Sequence, residues 1–212
     1  TIQWDDSYSW AREFLDENRR GKAPKGFMDL LEVGDLVYLS AENDQVKLDQ
    51  IPQAQSSLIS FNPKTGEVLS YVGGSVFNDS QFDRVRQSYP QSGSVFKPFI
   101  YASAFSGGYN PSSLINDAPI IFEDENLETF WRPENYSGKF YGLTTLREAL
   151  VQSINIVSIK LLREIGIKKS SETIDNFGFG TERLPQDLSL ALGSGNFSPA
   201  EIARGFSVFA NG

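Results

Sequence analysis

Ser94 and Lys97 stand three residues apart at the head of an apolar run that continues through Phe99, Ile100, Tyr101, Ala102, Ala104 and Phe105. On a helix this spacing puts hydroxyl and amine on one face. A serine hydroxyl is a poor nucleophile until a base takes its proton. A lysine ordinarily keeps its own proton up to a pKa of about 10.4, but burial disfavours the charged form and can lower that by several units. A buried Ser–Lys pair therefore supplies nucleophile and base together. The helix N-terminus adds positive potential and free N–H groups for a developing oxyanion. The chain contains neither histidine nor cysteine. That excludes a Ser-His-Asp triad, a Cys–His dyad and any metal held by imidazole or thiolate. The base for a nucleophilic serine must then be Lys, Asp or Glu.

A second constellation follows 59 residues later, Ser153-Ile154-Asn155. A second hydroxyl can relay protons to a leaving group, and an amide can hold a substrate carbonyl. Neither string is specific alone. Random placement of the chain's serines and lysines gives about one Ser-x-x-Lys pair, so the motif needs company. Ser-x-Asn recurs at Ser60-Phe61-Asn62, in a hairpin turn, and at Ser194-Gly195-Asn196, in a glycine loop before a capped helix. Only Ser153 lies between two apolar helical runs. On the residues alone, Ser153 and Asn155 serve equally well as simple caps of the second helix.

These groups need elements to hold them. The apolar run from Ser94 to about Ser106 is too apolar all round for a surface helix and is expected to be buried, with Pro98 tolerated near its start. Thr145 and Glu148 form a capping box opening a helix with Leu146, Ala149 and Leu150. A second apolar helix carries Ile156, Val157, Ile159, Leu161 and Leu162 and closes at Gly166. Ser198-Pro199-Ala200-Glu201 is another helix start. Residues 57–73 predict a hairpin about Asn62-Pro63-Lys64-Thr65-Gly66. Residues 75–93 and 107–143 read as loops. The acidic run Glu123–Glu128 reads as a solvated turn, since nothing spaces its oxygens as a calcium loop does. Phe177-Gly178-Phe179-Gly180 reads as a turn between helices rather than a phosphate cradle. Toward the N-terminus, residues 7–20 predict a helix capped by Ser7, with Trp10, Phe14 and Leu15 on one face and Gly21 as its stop. Residues 33–50 predict short strands.

The 212 residues and 40% hydrophobic content fit one domain plus a small piece of another. A formal charge of −8 with no long basic run argues against nucleic acid as a partner. No stretch approaches the roughly 20 apolar residues of a membrane span, and no signal peptide is present. The chain reads as a piece of a longer protein.

Taken in order, these segments resemble the first half of the transpeptidase domain of a class A, bifunctional penicillin-binding protein. The resemblance runs from about Gln50 to Gly212. It rests on Phe61–Val68 with Val72-Gly73-Gly74, on Ser92-Gly93-Ser94-Val95-Phe96-Lys97-Pro98-Phe99, and on Trp131–Tyr136 with Thr144–Asn155. Leu190–Gly193, Ser198–Ala203 and Phe209–Gly212 complete it. The resemblance implies an α+β, β-lactamase/transpeptidase-like fold, in which an antiparallel sheet begun by the 57–73 hairpin packs against the buried Ser94 helix, beside a helical lobe carrying Ser153. The domains would be 50–212, the first part of the transpeptidase domain, and 1–49, the end of a small OB-like β module. The implied activity is peptidoglycan D,D-transpeptidation through an acyl-serine, inhibited covalently by β-lactams. Ser94 would be the nucleophile, Lys97 the base, Ser153 the proton relay and Asn155 the substrate-binding amide, with no cofactor and no metal. The implied partners are peptidoglycan stem peptides (a D-Ala-D-Ala donor and an amine acceptor), β-lactams and other cell-wall synthesis proteins. The implied location is the periplasmic face of the bacterial inner membrane, with anchor and glycosyltransferase upstream of Thr1. Lys64-Thr65-Gly66 matches the family's third motif in letters but precedes Ser94, whereas the family order puts that motif last. The third motif is expected beyond Gly212, and the chain alone is expected to lack one edge of the cleft. Two other acyl-serine classes fit the Ser–Lys logic: a serine β-lactamase or D,D-carboxypeptidase, and a non-enzymatic β-lactam sensor.

Overall fold

The computed structural model of the chain describes residues 2–42, 45–50, 54–123 and 130–211. The chain divides into two compact units, Thr1–Gln55 and Ser56–Gly212.

In the first unit, a 3₁₀ turn at Asp6–Trp10 is followed by the strand pair β1 (Phe14–Asp16) and β2 (Arg19–Arg20), then β3 (Tyr38–Glu42) paired antiparallel with β4 (Gln45–Asp49). The helix expected over 7–20 does not form. Asp5, not Ser7, caps the short turn, its Oδ1 accepting from Ser7 N at 2.7 Å. The chain then reverses at Asp16, which accepts from Asn18 N at 3.0 Å and pairs with Arg19 at 2.6 Å. Gly21 donates its N–H to Glu13 O at 2.8 Å, so it closes the reversal instead of stopping a helix. Asp and Asn bonding to nearby backbone outcompete the helical period here. Trp10, Phe14 and Leu15, expected on one helical face, are all exposed. The core of this unit is an aromatic cluster of Trp4, Tyr8 and Phe27, with ring centroids 5.2–5.4 Å apart. Tyr8 Oη accepts from Leu48 N at 3.2 Å and ties the cluster to β4.

The second unit opens with the hairpin β5 (Leu58–Phe61) and β6 (Val68–Val72). Lys64-Thr65-Gly66 is its turn: Asn62 Oδ1 accepts from Lys64 N, and Gly66 N donates to Asn62 O at 2.8 Å. A turn-rich stretch leads to a 3₁₀ turn, Gly93–Phe96, which runs directly into α1 (Lys97–Ser106). Then come β7 (Leu114–Asp117), β8 (Phe122–Glu123), β9 (Phe130–Trp131) and β10 (Gly142–Thr145). The loop reading of 107–143 thus missed four strands. They pair as β7 with β10 and β8 with β9, joined across a gap in sequence that no local signal spans. Residues 124–128 of the acidic run lie outside the described residues. Helices α2 (Leu146–Val151), α3 (Asn155–Ile165), α4 (Ile167–Asp175) and α5 (Pro199–Asn211) complete the unit. Both expected capping boxes are present in their main contact. Thr145 Oγ1 accepts from Glu148 N at 3.2 Å, and Ser198 Oγ accepts from Glu201 N at 3.3 Å.

The core is built around α1. Phe96, Phe99, Ile100 and Ala104 have no exposed surface and pack with Leu146, Ile159, Leu161, Leu162 and Ile174. Fully burying each of the phenylalanine, leucine and isoleucine side chains contributes about 1.5–3 kcal/mol. An aromatic cluster seals one end: Phe99 lies 4.8–5.5 Å, ring to ring, from Phe96, Phe177, Phe179, Phe206 and Phe209. The hairpin does not pack against α1 in the manner expected. β5 packs chiefly on α5, and α5 presents Phe206 and Phe209 to α1. The immediate neighbours of α1 are α2, α3, α4 and the 3₁₀ turn Leu188–Leu192. Among the described residues all sheets are two-stranded and antiparallel.

Candidate active site

Lys97 is the first residue of α1 and is 1% exposed. A lysine at that depth must satisfy its donors within the protein. Its Nζ donates to Ser153 O at 2.6 Å, Asn155 Oδ1 at 2.7 Å and Ser153 Oγ at 3.0 Å. The first constellation therefore meets the second across 56–58 residues of sequence. Burial lowers the Lys97 pKa from its ordinary 10.5 to about 8. No carboxylate among the described residues pairs with it.

Ser153 is the only non-glycine residue among those described with a positive φ, 54°. That left-handed conformation costs about 1–2 kcal/mol for a residue with a side chain. In that conformation both the carbonyl and the hydroxyl of Ser153 meet one amine. Neither Ser153 nor Asn155 acts as a side-chain cap of α3. The residue before that helix is Ile154, and it contributes no side-chain bond. The cap comes from elsewhere: Asn135 Oδ1 accepts from Asn155 N at 3.0 Å and Ile156 N at 3.1 Å. The simple capping role left open by the residues is therefore not what these side chains do.

Ser94 lies in the 3₁₀ turn ahead of α1 and is exposed. Its carbonyl accepts from Lys97 N, so the two residues are joined through the backbone. Among the described residues no hydrogen bond joins Ser94 Oγ to Lys97 Nζ. The amine instead gives its hydrogens to Ser153 and Asn155. Ser94 and Lys97 do share one turn, as their spacing requires, but the lysine amine bonds across to the other motif.

The turn bearing Ser94 is strapped down by the glycine loop 193–195. Gly93 N donates to Gly193 O at 2.9 Å and Ser92 N to Gly195 O at 3.0 Å. Ser92 Oγ lies 3.1 Å from both of those carbonyl oxygens and shares its one hydrogen between them. Gly193 has φ 73°, and a Cβ there would sit 1.9 Å from Gly93 O, so no other residue fits. Phe96 anchors the turn from below, stacked on Phe197 at 5.4 Å. Ser194 and Asn196, one of the repeats of the Ser-x-Asn string, thus flank a structural strap. The other repeat, Ser60 and Asn62, belongs to the hairpin.

Sequence reasoning missed Asn135 and Asp117. Asn135 lay within a segment noted only for its resemblance, and Asp117 in a stretch read as loop. Its burial is the signal, and burial is not visible in sequence. No helix among the described residues is long and apolar enough to cross a membrane. No cluster of acidic side chains suited to a metal occurs among them either.

An α+β unit whose helices enclose the lysine of a Ser-x-x-Lys turn against a Ser-x-Asn turn has the architecture of the β-lactamase/transpeptidase fold. The family model described as the penicillin binding protein transpeptidase domain matches residues 57–212, and that of the penicillin-binding protein OB-like domain matches residues 1–54. The chain belongs to the penicillin-binding protein transpeptidase family. It is 46% identical over its whole length to penicillin-binding protein 1A of Pseudomonas aeruginosa, of which it covers 26%. It is 40% identical to penicillin-binding protein 1A of Vibrio cholerae, again over the whole chain and 26% of the relative. The crystal structure of penicillin-binding protein 1A from Haemophilus influenzae superposes with a TM-score of 0.79 at 37% identity, covering 83% of this chain and 26% of that one. The chain therefore spans about a quarter of the length of these relatives.

Proposed function

We propose that this chain carries the acyl-enzyme-forming residues of a peptidoglycan D,D-transpeptidase within a bifunctional, class A penicillin-binding protein. The observation that carries the reading is the buried amine of Lys97, held by Ser153 and Asn155 and poised near pKa 8 one turn from the exposed hydroxyl of Ser94. Lys97 Nζ as free base takes the proton of Ser94 Oγ, which attacks the carbonyl carbon between the two D-Ala residues of a donor stem peptide. The tetrahedral intermediate collapses with loss of the terminal D-Ala. Its nitrogen receives a proton through the Ser153 hydroxyl, and an acyl-serine remains. An amine of a neighbouring stem peptide then attacks the acyl carbon and gives its proton to Lys97. Lys97 returns that proton to Ser94 Oγ as the acyl–oxygen bond breaks, and a cross-link is formed. Asn155 uses its amide to orient both Lys97 and the substrate peptide. No cofactor and no metal enter these steps.

A β-lactam presents a strained amide to the same serine. Its leaving nitrogen stays tethered to the acyl group, so the enzyme is trapped. The relatives' names support this ligand class. The reaction belongs to the periplasmic face of the bacterial inner membrane, where the polymer is built, with the glycosyltransferase and membrane anchor in the rest of the protein. Other cell-wall synthesis proteins would be its partners there.

The test is labelling of the full-length protein with a fluorescent penicillin, alongside Ser94→Ala. A stable label lost in Ser94→Ala, together with cross-linking of stem peptides, is the expected result. Rapid release of hydrolysed penicillin would make the protein a β-lactamase or carboxypeptidase instead. A stable label without any turnover of stem peptide would make it a sensor. No label on the folded protein would sink the acyl-serine reading altogether.

A further inference from the structure

The start of α3 must hold Asn155, and Ser153 just ahead of it, against Lys97, yet the helix has no side-chain cap of its own. A buried amide supplies one from twenty residues upstream. Asn135 is 6% exposed, and its Oδ1 accepts from the N–H groups of Asn155 and Ile156. Its Nδ2 donates to both carboxylate oxygens of Asp117, at 2.9 and 3.0 Å, and to Lys139 O at 2.9 Å. Asp117 is 1% exposed and also accepts from Tyr141 N at 2.9 Å. Donors and acceptor of the Asn135 amide are thus all engaged, which fixes its orientation. The neighbouring carbonyl of Glu134 accepts from Asn155 Nδ2 at 2.9 Å. Residues 134 and 135 therefore hold Asn155 by backbone and side chain together, leaving only its Oδ1 to face Lys97.

We propose that Asp117 and Asn135 are positioning residues for the acylation reaction, fixing Asn155 and through it the Lys97 amine relative to Ser94. The inference rests on the reading of Ser94, Lys97, Ser153 and Asn155 as the reacting and substrate-holding groups. The alternative is a buried cap that merely stabilises α3. The two differ in coupling. A positioning residue acts through Asn155, so its loss adds little once Asn155 has already been removed. A stabilising cap has no such dependence, and its effect on rate would be independent of Asn155.

The experiment is a double-mutant cycle in the full-length protein with Asn135→Ala, Asn155→Ala and the pair, read as the rate constant for acylation by saturating fluorescent penicillin, followed over hours below the melting midpoint of every variant. Asn135→Ala is expected to slow acylation about tenfold to a hundredfold. The double variant should match Asn155→Ala to within about threefold. Acylation at the wild-type rate in Asn135→Ala overturns the proposal. So does a penalty that multiplies in full on that of Asn155→Ala. Should Asn135→Ala fail to fold, Asp117→Asn, which keeps the side chain's size and one acceptor oxygen, takes its place in the same cycle with the same criteria. Ser94→Ala serves as the control for the underlying reading. If it labels like the wild type, the assignment of the reacting groups has failed, and not the positioning argument.

Discussion

Acylation of Ser94 should rise about tenfold per pH unit up to about pH 8 and then level off. The cause is the burial of Lys97, which lowers its pKa from 10.5 to about 8. At pH 7 roughly one lysine in ten is then free base, against roughly one in three thousand for an ordinary lysine, so burial raises the competent population about 300-fold. The three hydrogen bonds to Ser153 and Asn155 oppose this, because acceptors favour an ammonium. They oppose it weakly. A neutral amine keeps two donations, to Ser153 O and Asn155 Oδ1, and can accept the third bond from the Ser153 hydroxyl, so the network survives loss of the proton. Burial has no such compensation, and it decides the direction. The assay is the second-order rate constant for labelling of the full-length protein with a fluorescent penicillin between pH 6 and 10, corrected for hydrolysis of the probe. A rate flat from pH 6 to 9 would show that Lys97 is not the titrating base. A midpoint near 10.5 would show that its burial does not act on the reaction.

The same shift predicts a stability effect of known sign. Because the unfolded lysine keeps its proton to about 10.5 and the folded one releases it near 8, the folded state is penalised below pH 8 and the penalty fades as pH rises to 10.5. The denaturant stability of the wild type relative to Lys97→Met should therefore grow by about 3 kcal/mol between pH 7 and 10.5, and a constant difference would refute the buried charge. Gly193→Ala should lower the melting temperature and slow labelling together, since its Cβ would strike Gly93 O one residue from Ser94; strain and displacement of at least about 2 kcal/mol are expected, readable by calorimetry. Ser153→Gly and Ser153→Ala should both lose acylation, but the glycine variant should be about 1 kcal/mol more stable than the alanine one, because only it accommodates φ 54° without strain. Equal melting temperatures for the two would argue against that conformation.

Much of the local chemistry was readable where the partners lie within a turn of one another. The capping pairs Thr145–Glu148 and Ser198–Glu201, the turn at Asn62–Gly66 and the buried helix after Ser94 all follow from residues three or four apart. The failure over residues 7–20 is of the same local kind. Trp10, Phe14 and Leu15 imitate a helical face, yet Asp5 and Asp16 capture the backbone first. The missed strands β7 and β10 differ in kind, since Ile115 pairs with Thr144 across most of a loop-like stretch. No local period announces such a pairing.

The sequence by itself determined the available chemistry. Without histidine or cysteine, a nucleophilic serine could draw only on a lysine or a carboxylate as its base, and the ordered motifs around Ser94 and Ser153 resembled one family. It also determined that the Ser94 helix would be buried, because that run has no polar face. Tertiary structure alone decided that Lys97 would bond to Ser153 and Asn155 instead of to Ser94. It also decided that Asn135, itself held by Asp117, would cap α3 and that Gly193 would clamp the turn carrying Ser94. These contacts join residues from 18 to about 100 positions apart. The physical reason is that a pKa and a hydrogen-bond partner depend on what surrounds a group in space, and in this chain those surroundings come from segments that meet only when the helices close around α1.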